Sequence, residues 1–350
     1  MIKLLIVDDS ALMRRQLTRL FESEGDFIVR VARNGREAIE ENLSFQPDVI
    51  SLDINMPEMD GLTALSLLMA QRPVPVVMVS SLTEKGALAT FEALNLGAVD
   101  FVTKPGGTIS LSLQEVEAEI VAKIRSAAKA RLKKGRGRTV VAAPPPEPAP
   151  TTRTFPSRLV RNGVVLIGVS TGGPRTLEDI LPLLPAEFPW PVVVAQHMPP
   201  SFTRPFAERM NNLCELDVSE LNRPTTLQAG QVYIAKGGAD VVLSDRTGRL
   251  MANPRPENPQ LLWHPSVELL GRSALEHCNP EHVIAVMLTG MGDDGAESFA
   301  ELKRRGARTI AESEQSAVVF GMPAALIARD GASIVLPSDQ IAKQLLSWLS

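Results

Sequence analysis

Short runs of apolar, largely β-branched residues recur in the first 130 positions, at 3–7, 28–31, 49–52, 74–79 and 101–102. Between them lie segments with the composition and spacing of amphipathic helices, for instance 11–22, 36–43 and 61–71. Brief β-branched runs predict buried strands, and strands alternating with helices predict a parallel sheet covered on both faces. From 133 to about 162 the pattern disappears. Gly135, Gly137 and the tract Pro144-Pro-Pro-Glu-Pro-Ala-Pro150 offer no face to a core and predict an extended, partly polyproline linker. After Gly163 the alternation resumes, with strands predicted at 164–169, 192–196, 231–235, 283–289 and 309–312. A hairpin is predicted as well, its strands at 241–244 and 249–251 flanking a loop at 245–248 that ends on a turn glycine. The expectation is two doubly wound parallel-sheet α/β domains, at 1–125 and 161–350, joined by a Pro-rich linker at 126–160.

Composition agrees with this picture. A chain of 350 residues exceeds what one core usually serves. Hydrophobic residues make up 44% and charged residues 22%, as in a globular protein, and no apolar run reaches membrane-spanning length. Residues 1–7 are apolar apart from Lys3, but Asp8 and Asp9 end the run before it reaches signal-peptide length, so a cytoplasmic location without membrane insertion is expected. A formal net charge of -4 argues against general affinity for nucleic acid. Lys133, Lys134, Arg136 and Arg138 read as the solvated edge of the linker. Cys214 and Cys278 are too few and too isolated for a disulfide framework or a zinc site.

Ligands of an open parallel sheet sit beyond the carboxyl ends of its strands. Asp8 and Asp9 follow the first strand, Asp53 ends the third, Ser80 ends the fourth, and Lys104 follows the fifth before Pro105. Three carboxylates brought together repel unless a cation neutralises them, and a hard oxygen site open to phosphate suits Mg²⁺. Such a site lets Asp53 attack phosphorus while Lys104 and Ser80 stabilise charge on the equatorial oxygens. Taken singly, Asp8, Asp9 or Asp60 fits a helix cap; the five groups at strand ends fit a phosphate-accepting site. The pair Asp8-Asp9, Asp53-Ile-Asn-Met-Pro-Glu-Met-Asp-Gly61, Ser80 and Lys104-Pro105 resemble the receiver domain of two-component response regulators over about the first 120 residues. That resemblance implies a flavodoxin-like fold and phosphorylation of Asp53 by a histidine kinase. It also implies an Asn55 backbone carbonyl helping to hold Mg²⁺, and Phe101 as the aromatic switch residue.

In the second half, Gly168-Val-Ser170-Thr-Gly172 matches G-x-S-x-G, between a predicted strand and a predicted helix start at Gly173-Pro174. A serine on such a turn is exposed near a helix N-terminus, which favours developing negative charge. The pattern alone is weak, since similar turns hold phosphate. Of four histidines only His197 follows directly on a β-branched strand, which puts it on the edge that carries Ser170. His277 and His282 precede a strand and belong at the opposite edge, where a capping or surface role suits them better than a metal site with Cys278. His264 lies in a Pro-flanked loop without an assigned place. The strand at 283–289 ends in Gly290-Met-Gly292-Asp-Asp-Gly295, and an acid there can orient His197, either Asp293 or Asp294. The same stretch matches G-x-G-x-x-G, but two carboxylates in the loop would repel a pyrophosphate. Backbone amides of these turns are the expected oxyanion donors.

The order Ser, His, Asp excludes the α/β-hydrolase fold. The second half instead resembles the catalytic domain of the chemotaxis protein-glutamate methylesterases, the CheB family. The resemblance rests on the serine turn, Gln196-His-Met-Pro199, Phe202-Thr-Arg-Pro-Phe-Ala-Glu-Arg-Met210, Leu288-Thr-Gly-Met-Gly-Asp-Asp-Gly295 and Val319-Phe-Gly-Met-Pro323. It implies a three-layer α/β/α serine hydrolase with Ser170 as nucleophile, His197 as base and Asp294 as acid, and Thr171 and Met291 shaping the oxyanion region. It further implies hydrolysis of glutamyl methyl esters on chemoreceptor cytoplasmic helices, deamidation of receptor glutamines, and an unphosphorylated receiver that covers the cleft. No cofactor is expected for the esterase chemistry. Two departures from the family's pattern, Ala235-Lys-Gly-Gly-Ala-Asp240 and Pro265-Ser-Val-Glu268, leave the triad complete and bear on receptor choice or domain docking. The rival reading is a response regulator with a binding or vestigial hydrolase output in a pathway other than chemotaxis.

Overall fold

The structure is a computed structural model that describes residues 1–80, 83–104, 113–130 and 163–349, without the side chains of Ser80, Glu84, Lys85 and 113–116. Most of the linker, the four basic residues at 133–138 and Pro105 lie outside the described residues.

The first unit alternates β1 (Ile2–Val7), α1 (Ala11–Ser23), β2 (Phe27–Ala32), α2 (Gly35–Ser44), β3 (Val49–Asp53), α3 (Gly61–Gln71), β4 (Val76–Ser80), α4 (Glu84–Leu96), β5 (Asp100–Thr103) and α5 (Leu113–Ala127). Its five strands are parallel in the order β2-β1-β3-β4-β5, a flavodoxin-like sheet. β3 is buried along its whole length, as a central strand covered on both faces must be. Asp60 caps α3, accepting from Thr63 N at 2.7 Å. β4 begins after Pro75, later than the predicted 74, because proline has no N–H for the ladder.

The second unit runs β6 (Val164–Val169), α6 (Gly173–Ile180), β7 (Val192–Gln196), α7 (Pro200–Leu213), β8 (Asp217–Leu221), β9 (Thr225–Thr226), β10 (Gln231–Ala235), β11 (Asp240–Arg246), β12 (Arg249–Arg255), α8 (Val267–His277), β13 (Val283–Met287), α9 (Ala296–Arg304), β14 (Arg308–Glu312), α10 (Met322–Ala328), β15 (Ile334–Leu336) and α11 (Ser338–Leu349). Seven parallel strands lie in the order β15-β14-β13-β6-β7-β10-β8, and β11, β12 and β9 form a small antiparallel sheet. The chain leaves β6 toward one side of the large sheet and β13 toward the other. Their carboxyl ends therefore flank a switch point, the place where open sheets bind ligands.

In this unit the hairpin and β13 depart from their predicted bounds. The hairpin strands extend to Arg246 and Arg249, so the loop is only Thr247 and Gly248. Both residues sit at positive φ, 56° and 77°, the backbone form that matches the twist of a two-residue hairpin. β13 stops at Met287 rather than 289, because the Thr289 amide donates to Glu312 Oε2 (2.8 Å) and leaves the ladder.

The largest apolar cluster is continuous across the two units. α4 brings Phe91 against Phe202 and Phe206 of α7, and β5 stacks Phe101 on Phe202 with ring centroids 4.5 Å apart and planes at 21°. Aromatic pairs of this kind stabilise by about 0.5–1.5 kcal/mol beyond their buried area.

Candidate functional site

Ser170 is the first residue beyond β6, and its amide donates to Thr289 O (2.9 Å) across the switch point. Gly173 N returns to Ser170 O (2.8 Å), closing the turn before α6. Gly172 is required twice over: its φ is +79°, and a Cβ there would lie 2.6 Å from Val318. Among the described residues the amides of Thr171, Gly172 and Met291 have no hydrogen-bond partner, which leaves them available to an anion at the positive end of α6.

His197 is placed by β7, its amide donating to Val169 O at 3.1 Å. The preceding Gln196 braces the two turns, because its Nε2 donates to both Ser170 O and His197 O, each at 3.0 Å. His197 Nε2 lies 2.9 Å from Asp294 Oδ2. The ring's other nitrogen, Nδ1, is buried without a partner, and no hydrogen bond joins it to Ser170 Oγ. Ser170 and His197 are both nearly buried, at 4% and 7% exposed.

Asp294 also accepts from Val267 N (2.7 Å), Glu268 N (3.0 Å) and Ser266 Oγ (3.1 Å), the first turn and N-cap of α8. Burial pushes its carboxyl upward, but the hydrogen bond and charge of His197 and the two amides outweigh it and hold the group below its usual range. Asp293, left open beside Asp294 by spacing alone, is exposed and pairs with Arg329 Nη2 at 3.0 Å. It does not face His197.

Behind Asp294 stands a support that the sequence did not reveal. Asp240, 1% exposed, accepts from His264 Nδ1 (2.8 Å), Ser266 N (2.8 Å) and Asn258 N (2.9 Å). Glu268 Oε2 accepts from Ser298 N (3.0 Å) near the start of α9. Of the departures, Asp240 thus holds the Ser266 amide beside Asp294, the Glu268 carboxylate ties α8 to the start of α9, and Lys236 is exposed. His277, Cys278 and His282 line a cleft of about 130 Å³ with Gly163 and Asp245, at the edge opposite Ser170 as expected. Burial pushes the Cys214 and Cys278 thiols up to about 12, so neither is a ready nucleophile.

In the first unit, Asp8, Asp9 and Asp53 bring carboxylate oxygens within 4.8 Å of one another. Lys104 Nζ lies 2.7 Å from Asp53 Oδ2 and 3.2 Å from Asp8 Oδ2, and the latter, buried oxygen takes no hydrogen bond of good geometry. Burial raises the Asp53 carboxyl above its usual range in spite of Lys104, while the two acids hold Lys104 charged. Asn55 N–H reaches Asp53 Oδ1 at 3.4 Å. Hard oxygen donors, a buried Asp8 oxygen held only by its ion pair with Lys104 and crowded negative charge fit a divalent cation such as Mg²⁺. Ser80 ends β4 as predicted, but its hydroxyl lies outside the described residues.

The two sites are joined through β5. Thr171 Oγ1 donates to Asp100 Oδ2 at 2.6 Å, so the residue after Ser170 is held by the first unit. The next residue, Phe101, is buried against Phe202, and Lys123 of α5 donates to Phe101 O at 2.9 Å. Asp100 belongs to no motif and was not foreseen.

Two family models match the chain, the response regulator receiver domain over residues 4–114 and CheB methylesterase over residues 165–345. A Rhodospirillum rubrum protein named protein-glutamate methylesterase/protein-glutamine glutaminase 3 is 58% identical, over 100% of this chain and 97% of its own. An Archaeoglobus fulgidus protein named protein-glutamate methylesterase/protein-glutamine glutaminase is 43% identical, over 99% of this chain and 98% of its own. The solved catalytic domain of Thermotoga maritima CheB methylesterase is 38% identical with a TM-score of 0.52, covering 53% of this chain and 98% of that domain.

Proposed function

Because this chain belongs to the CheB methylesterase family and carries a response-regulator receiver domain, we propose that it hydrolyses glutamyl methyl esters of chemoreceptors under the control of Asp53 phosphorylation. Release of ammonia from receptor glutamines is the companion reaction; its relatives are named protein-glutamine glutaminases as well as methylesterases. The observation that carries the reading is the buried, unpaired Nδ1 of His197, on a ring whose Nε2 is held by Asp294.

With Nε2–H donated to Asp294, Nδ1 is the basic nitrogen. In the productive geometry Ser170 Oγ turns to Nδ1 and attacks the ester carbonyl carbon as its proton passes to that nitrogen. Negative charge on the carbonyl oxygen is met by the free amides at Thr171, Gly172 and Met291. The C–O bond to the methoxy group then breaks, and methanol departs with the proton from Nδ1. Water, deprotonated by the same nitrogen, hydrolyses the acyl-serine to a glutamate and frees Ser170. Asp294 stabilises the imidazolium in both halves.

In the receiver, Asp8, Asp9 and Asp53 with the Asn55 carbonyl would hold Mg²⁺, which supplies positive charge to the phosphoryl oxygens. Asp53 accepts the phosphoryl group of a histidine kinase, and Lys104 and Ser80 bind its oxygens. The contacts of Asp100 and Phe101 with the catalytic unit support a closed arrangement that phosphorylation relaxes. No helix among the described residues is long and apolar enough to cross a membrane. A cytoplasmic location, beside the receptors' inner helices, is part of the same reading.

Ser170→Ala is the decisive test. It should abolish methanol release from methylated receptor membranes while Asp53 still accepts phosphate from a small phosphodonor; unchanged release would reject the nucleophile.

A further inference from the structure

Trp263 lies in none of the motifs that identify the triad, yet its indole is stacked on His197, with ring centroids 5.6 Å apart and planes at 12°. His197 is 7% exposed and Trp263 half-buried, so the indole lies beside the buried imidazole in an offset stack. Gly292, in the loop that carries Asp294, lies against the indole edge: a Cβ there would be 3.6 Å from Trp263 Nε1. The segment bearing Trp263 is fixed from behind, since the single buried carboxylate of Asp240 takes donors from Asn258, His264 and Ser266. Three bonds on both sides of Trp263 leave its backbone little freedom.

We propose that Trp263 is a positioning residue for His197, restraining the ring between Asp294 and the serine turn and stabilising the positive charge the ring acquires in the reaction. The inference rests on the reading of Ser170, His197 and Asp294 as the triad. A cation beneath an aromatic face is attracted by the negative centre of the π system, most strongly for tryptophan and where water is excluded. The imidazole becomes such a cation only as the Ser170 proton moves to it. Its effect therefore falls on the chemical step and not on substrate binding.

The test is steady-state methanol release by the full chain, activated with a small phosphodonor and Mg²⁺, on methylated receptor membranes. Trp263→Leu and Trp263→Gln should each lower kcat by roughly tenfold with KM changed by less than about twofold. Trp263→Phe, which keeps an aromatic face, should stay within about threefold of the wild-type kcat. Wild-type kcat in the Leu and Gln variants, or an equal loss in the Phe variant, overturns the proposal. So does a loss of kcat in Trp263→Leu that follows its melting temperature and is absent from Trp263→Gln. Labelling of Ser170 by a fluorophosphonate separates the two layers of the argument. Variants that label and turn over normally reject Trp263 alone, whereas methanol release by Ser170→Ala rejects the triad beneath it.

Discussion

Asp240 and His264 form a pair whose energetics depend on protonation. Burial would lower the His264 imidazole, but its hydrogen bond to Asp240 and the negative charge around it win, and the group titrates above its usual 6.5. A folded-state value raised above the unfolded one means that the pair's stabilisation is complete below about pH 6.5 and fades as pH rises through the folded value. His264→Gln should therefore lower the melting temperature most at mildly acid pH, and the gap to wild type should narrow at alkaline pH; a gap independent of pH from 5.5 to 9 would contradict this. At this scale the sequence was legible where a residue directly follows a strand. Ser170 and His197 could be placed in that way. The choice between Asp293 and Asp294 could not be made from spacing, since adjacent loop residues point to different neighbours only once the loop is folded. Trp263 and Asp240 gave no local signal, because their partners lie far along the chain.

The start of α8 is an element with two duties. Ser266 caps it through Leu269 N (3.3 Å) and also donates its hydroxyl to Asp294 (3.1 Å), while the next two amides bind the same carboxylate. A helix N-terminus favours an anion, so the acid and the helix stabilise each other. Ser266→Ala should cost about 1 kcal/mol in denaturant unfolding and reduce methylesterase turnover as well. Full turnover together with that stability loss would show that the cap serves the helix alone. Strands and helices were readable because burial imposes its period on the residues within each element. β13 ends two residues short of the run at 283–289 that predicts it, since the carboxylate that takes the Thr289 amide comes from the end of β14.

At the scale of the whole molecule the receiver lies against the hydrolase through Phe91, Phe101 and the Asp100–Thr171 hydrogen bond. Because this contact holds the closed arrangement, Asp100→Ala should raise esterase activity without phosphodonor by about tenfold or more, the scale of one lost hydrogen bond to a charged group. Asp53→Asn should retain the basal rate and lose stimulation by phosphodonor with Mg²⁺. An unchanged basal rate in the first variant and full stimulation in the second would sink the switch. By itself the sequence determined two parallel-sheet units and the strand ends on which Asp53, Ser170 and His197 stand, because alternation, turn chemistry and strand termination are local properties. Only the tertiary structure decided that Asp294 meets His197, that α8, braced by Asp240, holds Asp294, that Trp263 stacks beside the imidazole, and that Asp100 reaches Thr171. Those contacts join residues up to 97 positions apart in the chain, and their geometry exists only once the second unit has folded and, for Asp100 and Thr171, once the two units have packed.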